Sequence, residues 1–77
     1  MPRAPQPDTA LAKALKRARE EREMTQEAVA WNAGVAVATL AKIENAQTAP
    51  SWDSVRRIID ALGVSLAELA AAIEATE

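Results

Sequence analysis

The side chains here that can do chemistry are hydrogen-bond donors and charges rather than nucleophiles. The 77 residues include no Cys and no His. That removes the thiolate nucleophile, the commonest general base and the commonest metal ligands together. Glu20 and Glu21 are adjacent carboxylates, but neighbours on a helix point about 100° apart, so they read as a solvated face and not as an acid–base or metal site. There is no Gly-rich phosphate loop and no catalytic triad, so the expectation is a protein that is not an enzyme and uses no cofactor or metal. What remains is amide, hydroxyl, guanidinium and ammonium side chains. These are the groups that bond phosphate oxygens and base edges.

The elements that position them are helices. Alanine is abundant, aromatics make up 3% and only two glycines are present. That composition favours helix over sheets of β-branched and aromatic strands. A chain of this length makes one domain with a modest core. Residues 1–8 hold three of the four prolines and read as a flexible arm, leaving 9–77 as the folded domain. Arg3 in that arm is a weak candidate for a minor-groove contact.

Asp8 or Thr9 can cap a first helix reaching Arg22, with Leu11, Leu15 and Ala18 as its buried stripe. Thr25 caps a second helix, Gln26 to Ala33, with Ala28, Val29 and Ala33 turned inward and Gly34 ending it. The third runs from Val37 to Asn45 or Ala46 with Leu40 and Ile43 inward; Ala36, a poor cap, precedes it. Ser51 opens a fourth, Trp52 to Leu62, which carries Val55, Ile58, Ile59 and Leu62 at helical spacing and stops at Gly63. Ser65 and Glu68 form a capping box for a fifth, Leu66 to about Ala75, with Leu66, Leu69 and Ile73 inward. The fold expected is all-α with five helices.

Charge places any polyanion-binding face. The net charge is −2, which argues against strong non-specific nucleic-acid affinity. Residues 1–43 carry seven Lys/Arg against five Asp/Glu, while 44–77 carry two against six, so a DNA face belongs to the first half. No apolar run is long enough for a membrane span and the start lacks a signal-peptide core, so a cytoplasmic location beside the nucleoid is expected.

Short helix, Gly turn, short helix is the arrangement of residues 25–45, and it leaves the second helix protruding as a major-groove binder requires. Residues 9–73 resemble the XRE family, the lambda-repressor-like or Cro-type helix-turn-helix domains. The resemblance rests on Arg19 ahead of Met24-Thr25-Gln26-Glu27, then Val29-Ala30, Ala33-Gly34-Val35, Thr39-Leu40, Ile43-Glu44-Asn45 and Pro50-Ser51, and finally on Ala61 to Leu69. It implies a helix-turn-helix made of helices 2 and 3, double-stranded DNA as partner, and a homodimer on two half-sites. It also implies that Gln26 contacts the DNA backbone, that helix 3 is the recognition helix, and that Asn45, Gln47, Thr48 and Ser51 lie near phosphates. Arg19 and Glu44 are implied as a structural pair.

The recognition helix departs from the family pattern. Its outward positions are Ala36, Val37, Ala38, Ala41, Lys42 and Asn45, and four of these are small and apolar. Such side chains touch thymine methyl groups but form no hydrogen bonds to bases. Lys42 is left as the main polar base reader, and Thr39 as a contact to backbone or base. Trp31 stands where the family usually has a polar residue; it either marks a partner surface or folds onto the domain. Trp52 is expected to cover the edge of the core. Ile73 and the alanines beside it offer an apolar face to a twin subunit. The leading reading is a sequence-specific DNA-binding regulator, a repressor. The alternative is a protein-interaction module, or an antitoxin-like partner, that keeps the fold with weakened DNA binding.

Overall fold

The computed structural model describes residues 8–76. Five helices follow one another: α1 (Thr9–Glu21), α2 (Gln26–Ala33), α3 (Val37–Glu44), α4 (Trp52–Leu62) and α5 (Leu66–Thr76). Among the described residues there is no strand. Of the arm assigned to residues 1–8, only Asp8 is described, and it belongs to the fold as the cap of α1, accepting from Leu11 N–H at 3.0 Å. Arg3 lies outside the described residues.

Four of the five helices start where a short polar side chain can take over a free backbone N–H. Thr25 Oγ1 accepts from Ala28 N–H at 3.0 Å, and Ser51 Oγ from Ser54 N–H at 3.1 Å. Before α5 the bonds are reciprocal: Ser65 Oγ accepts from Glu68 N–H, and Glu68 Oε1 accepts from Ser65 N–H. α3 alone starts from Ala36 without a side-chain cap.

The core is built from one face of each helix. Ala12, Ala14 and Leu15 come from α1, and Val29, Ala30 and Ala33 from α2. Leu40 and Ile43 come from α3, Val55, Ile58, Ile59 and Leu62 from α4, and Leu69 from α5, all in one core cluster. α1 packs on α5 and α3, while α2 lies across α4 and α3. The inward face of α1 is wider than the stripe read from sequence, because small alanines at 12 and 14 let neighbours approach closely while Leu11 and Ala18 stay half-buried. In α2, Ala30 is fully buried and Ala28 only half-buried.

The boundaries of α2 and α4 coincide with those read from sequence, whereas α1 ends one residue early, α3 stops at Glu44 and α5 reaches Thr76. Leu66 corrects the inward stripe expected of α5: it is 49% exposed. It is the first residue of its helix and hangs over the rim of a groove instead of entering the core. Trp52 likewise is 58% exposed and lines that groove rather than sealing the core edge. Among the described residues, no helix is long and apolar enough to cross a membrane.

Candidate nucleic-acid interface

Two short helices and a left-handed turn make the central unit. α2 ends at Gly34, whose φ of 71° and ψ of 31° suit a residue without a Cβ. Gly34 N–H bonds back to Trp31 O, and Val35 N–H to Ala30 O at 3.0 Å, so the chain reverses sharply before α3. The turn buries Leu40 and Ile43 on one side of α3 and leaves the opposite side open.

A buried polar network fixes this unit to α1. Glu44, at the end of α3, is a buried charged residue. Arg19 donates to it twice, Nε to Oε2 at 2.8 Å and Nη2 to Oε1 at 3.0 Å, and donates Nη1 to Met24 O at 2.9 Å. Gln26 adds a further donor, Nε2 to Glu44 Oε1 at 3.0 Å. The carboxylate is thus held by three donors drawn from α1 and α2, which compensates for its loss of water. The Glu44 hydrogen bond raises the Arg19 pKa above its ordinary value, against an opposing effect of burial. Among the described residues, no buried side-chain polar atom lacks a partner.

Gln26 therefore has one amide N–H committed to Glu44. Its carboxamide is half-buried at the start of α2, where free backbone N–H groups also collect. Ala36, Val37, Ala38, Thr39, Lys42 and Asn45 are all exposed on α3, and Ala41 is half-buried. Helical spacing puts Ala38, Lys42 and Asn45 on a single ridge opposite Leu40, Ile43 and Glu44. Because Ala36 makes no side-chain cap, the free backbone N–H groups of the first turn of α3 have no acceptor from the cap side chain.

Beyond α3 the chain tightens at once. Ala46 adopts φ 55°, and Gln47 N–H bonds to Lys42 O at 2.8 Å. Gln47 is exposed and Thr48 half-buried. Ser51 is used as a cap, and its hydroxyl donates to Ser54 Oγ at 3.0 Å. The positive φ at Ala46, and the similar φ of 54° at Glu23, carry no sequence signal, since Gly or Asn is the usual occupant.

Trp31 lies on the outer face of α2 and is 86% exposed, so its ring does not fold onto the domain. Ile73 is half-buried and lines the groove between α1, α4 and α5 together with Leu11, Trp52, Leu66 and Leu69. Sequence periodicity missed this groove because it assigned Leu66 to the core. No cluster of carboxylates able to hold a metal ion occurs among the described residues.

Known proteins share this arrangement. The chain superimposes on the wild-type restriction-modification controller protein C.Esp1396I with a TM-score of 0.84 at 22% identity, covering 88% of this chain and 87% of that one. The clp gene regulator ClgR from C. glutamicum gives 0.85 at 23% identity, with 95% of each chain covered. The controller protein C.AhdI from Aeromonas hydrophila gives 0.76 at 21% identity over 79% of this chain and 92% of that one. These likenesses establish a shared fold. No curated protein matches the sequence. A family described as a helix-turn-helix domain matches residues 10–72, and by that match, over most of its length, the chain belongs to the helix-turn-helix domain family.

Proposed function

We propose that this chain is a sequence-specific DNA-binding transcriptional regulator, a repressor, that lays α3 in the major groove of double-stranded DNA. One observation carries the reading: α3 exposes its whole outer ridge while Leu40, Ile43 and the Arg19–Glu44–Gln26 network hold its inner face rigidly. A fixed protruding helix of about 10–12 Å diameter fits a groove about 12 Å wide. The start of α2, with Gln26, then lies against one phosphate strand and the 45–48 turn, with Asn45, Gln47 and Thr48, against the other. That C.Esp1396I and C.AhdI are controller proteins and ClgR a gene regulator supports this role.

The regulator works without catalysis or cofactor, in the cytoplasm at the nucleoid. It acts as a homodimer, because one α3 contacts too few bases to be selective. The apolar groove that includes Ile73, Trp52 and Leu66 supports such an interface. A second reading, an interaction module that binds a further protein, draws on Trp31 and on the net charge of −2.

Binding of the full chain to random and selected duplexes at low and moderate salt separates the two readings. The regulator reading expects binding at low salt that weakens with added salt. It further expects Lys42→Ala to flatten sequence preference and Gln26→Ala to weaken all duplexes alike. A folded chain that binds no duplex at low salt overturns it.

A further inference from the structure

The outer ridge of α3 carries unusual chemistry for a groove-reading helix. Ala36, Val37 and Ala38 are exposed and fill the cap and first turn, and Ala41 follows on the flank. None has a side-chain donor or acceptor. A single cation, Lys42, lies one turn beyond Ala38 on the same ridge. The polar residues that flank it, Thr39 and Asn45, lie to one side and at the far end.

Resting on the DNA-binding reading, we propose that this first turn reads the C5-methyl groups of pyrimidines. In the major groove of B-DNA the thymine methyl is the apolar group on the base edges, and an apolar side chain is the group that discriminates it. Alanine at 36, 38 and 41 also slims the helix, so its backbone can lie closer to the base edges than a helix faced with long side chains. Val37 and Ala38 then close over the methyl groups and expel water from them. Lys42 is displaced about 6 Å along the axis, just over one helical turn. Base pairs step by about 3.4 Å, so its ammonium reaches a guanine one or two steps from the thymine. The structure thus assigns a half-site in which a thymine sits close to a guanine, selected by a methyl contact on one side and by donation to O6 or N7 on the other.

Uracil tests this directly, because it differs from thymine only by the absent methyl and keeps the same pairing and groove acceptors. A duplex selected by the full chain from a random pool is resynthesised with deoxyuridine replacing each thymidine in turn. The expected result is a loss of about three- to fivefold in affinity at one thymine per half-site, the scale of one buried methyl-sized group. With Ala38→Ser, which keeps the size but adds a hydroxyl, the thymine and uracil duplexes should be bound within twofold of each other. Equal binding of both duplexes by the unaltered chain overturns the methyl reading and leaves DNA binding intact. Selection that recovers no duplex at low salt overturns the DNA-binding reading and this one with it.

Discussion

The guanidinium of Arg19 meets the carboxylate of Glu44 through two hydrogen bonds, 2.8 Å from Nε and 3.0 Å from Nη2. Only 2% of the Glu44 side chain and 14% of the Arg19 side chain remain exposed. The third donor of Arg19 holds Met24 O, so one side chain ties the end of α1, the linker and the end of α3 together. This contact fixes the angle at which α3 leaves the domain.

Breaking that pair strands a charge. Glu44→Ala is expected to destabilise the fold by about 3–5 kcal/mol in chemical denaturation. Arg19→Lys loses the paired geometry and should also destabilise clearly, because an ammonium cannot present the fork that reaches both Glu44 and Met24. The Arg19 pKa is raised on folding, chiefly by its hydrogen bond to Glu44. A cation raised in this way contributes stability that is complete below its unfolded pKa and is lost as pH rises through the folded one. Both values are strongly alkaline, so the Arg19–Glu44 coupling measured by a double-mutant cycle should be constant between about pH 7 and pH 9. A coupling that fades across that range contradicts this account.

Gln26 donates to the buried Glu44 carboxylate, and two substitutions test that bond. Gln26→Glu sets a second carboxylate against Glu44 and should destabilise the fold more than Gln26→Ala. The latter removes one hydrogen bond to a charged group, worth about 1.5–3 kcal/mol. Urea midpoints for the two variants test the order. If Gln26→Glu is as stable as the unaltered chain, the Gln26–Glu44 bond at 3.0 Å is not made in solution.

Left-handed positions divide into two kinds. Gly34 and Gly63 adopt φ near 71° and 72°, and a Cβ there meets no clash: the nearest atom to Gly34 is Arg57 Nη1 at 3.9 Å, and none lies within 4 Å at Gly63. The cost of Gly→Ala at either site is therefore conformational and should be about 1 kcal/mol at both. Ala46, at φ 55°, already bears that strain, and Ala46→Gly should raise the denaturation midpoint instead of lowering it. The opposite sign at Ala46 would mean that the turn after α3 is not left-handed.

Trp31 should be energetically silent in the isolated chain. With its ring 86% exposed, Trp31→Ala is expected to change stability by less than about 0.5 kcal/mol. The same substitution should leave duplex affinity unchanged. A large loss of stability would show that the ring is covered, and a loss of DNA binding would place α2's outer face in the interface.

Much of this fold is legible in the sequence. The caps Thr25, Ser51 and Ser65 and the stops Gly34 and Gly63 fix their helix boundaries locally, since each acts within four residues of itself. The inward lines Leu40/Ile43 and Val55/Ile58/Ile59/Leu62 follow from period alone. Tertiary placement was harder to read. Leu66 has the right phase for the core but opens its helix past the edge of the neighbours, and only packing reveals that. Ala30 is fully buried because α2 is wedged between α3 and α4, a consequence of crossing geometry that an alanine does not advertise. Gln26 reads as a helix-start donor from its position, but its bond to Glu44 spans eighteen residues and has no local signature.

Backbone amide shifts of the isotope-labelled chain, followed during titration with a selected duplex, test the central claim most directly. The account predicts the largest changes at Gln26 and Glu27, along Val37 to Lys42 and through Asn45 to Thr48, with α5 nearly silent apart from any dimer contact. Changes concentrated on Trp31 and the outer face of α2, with Val37 to Lys42 unmoved, would contradict it.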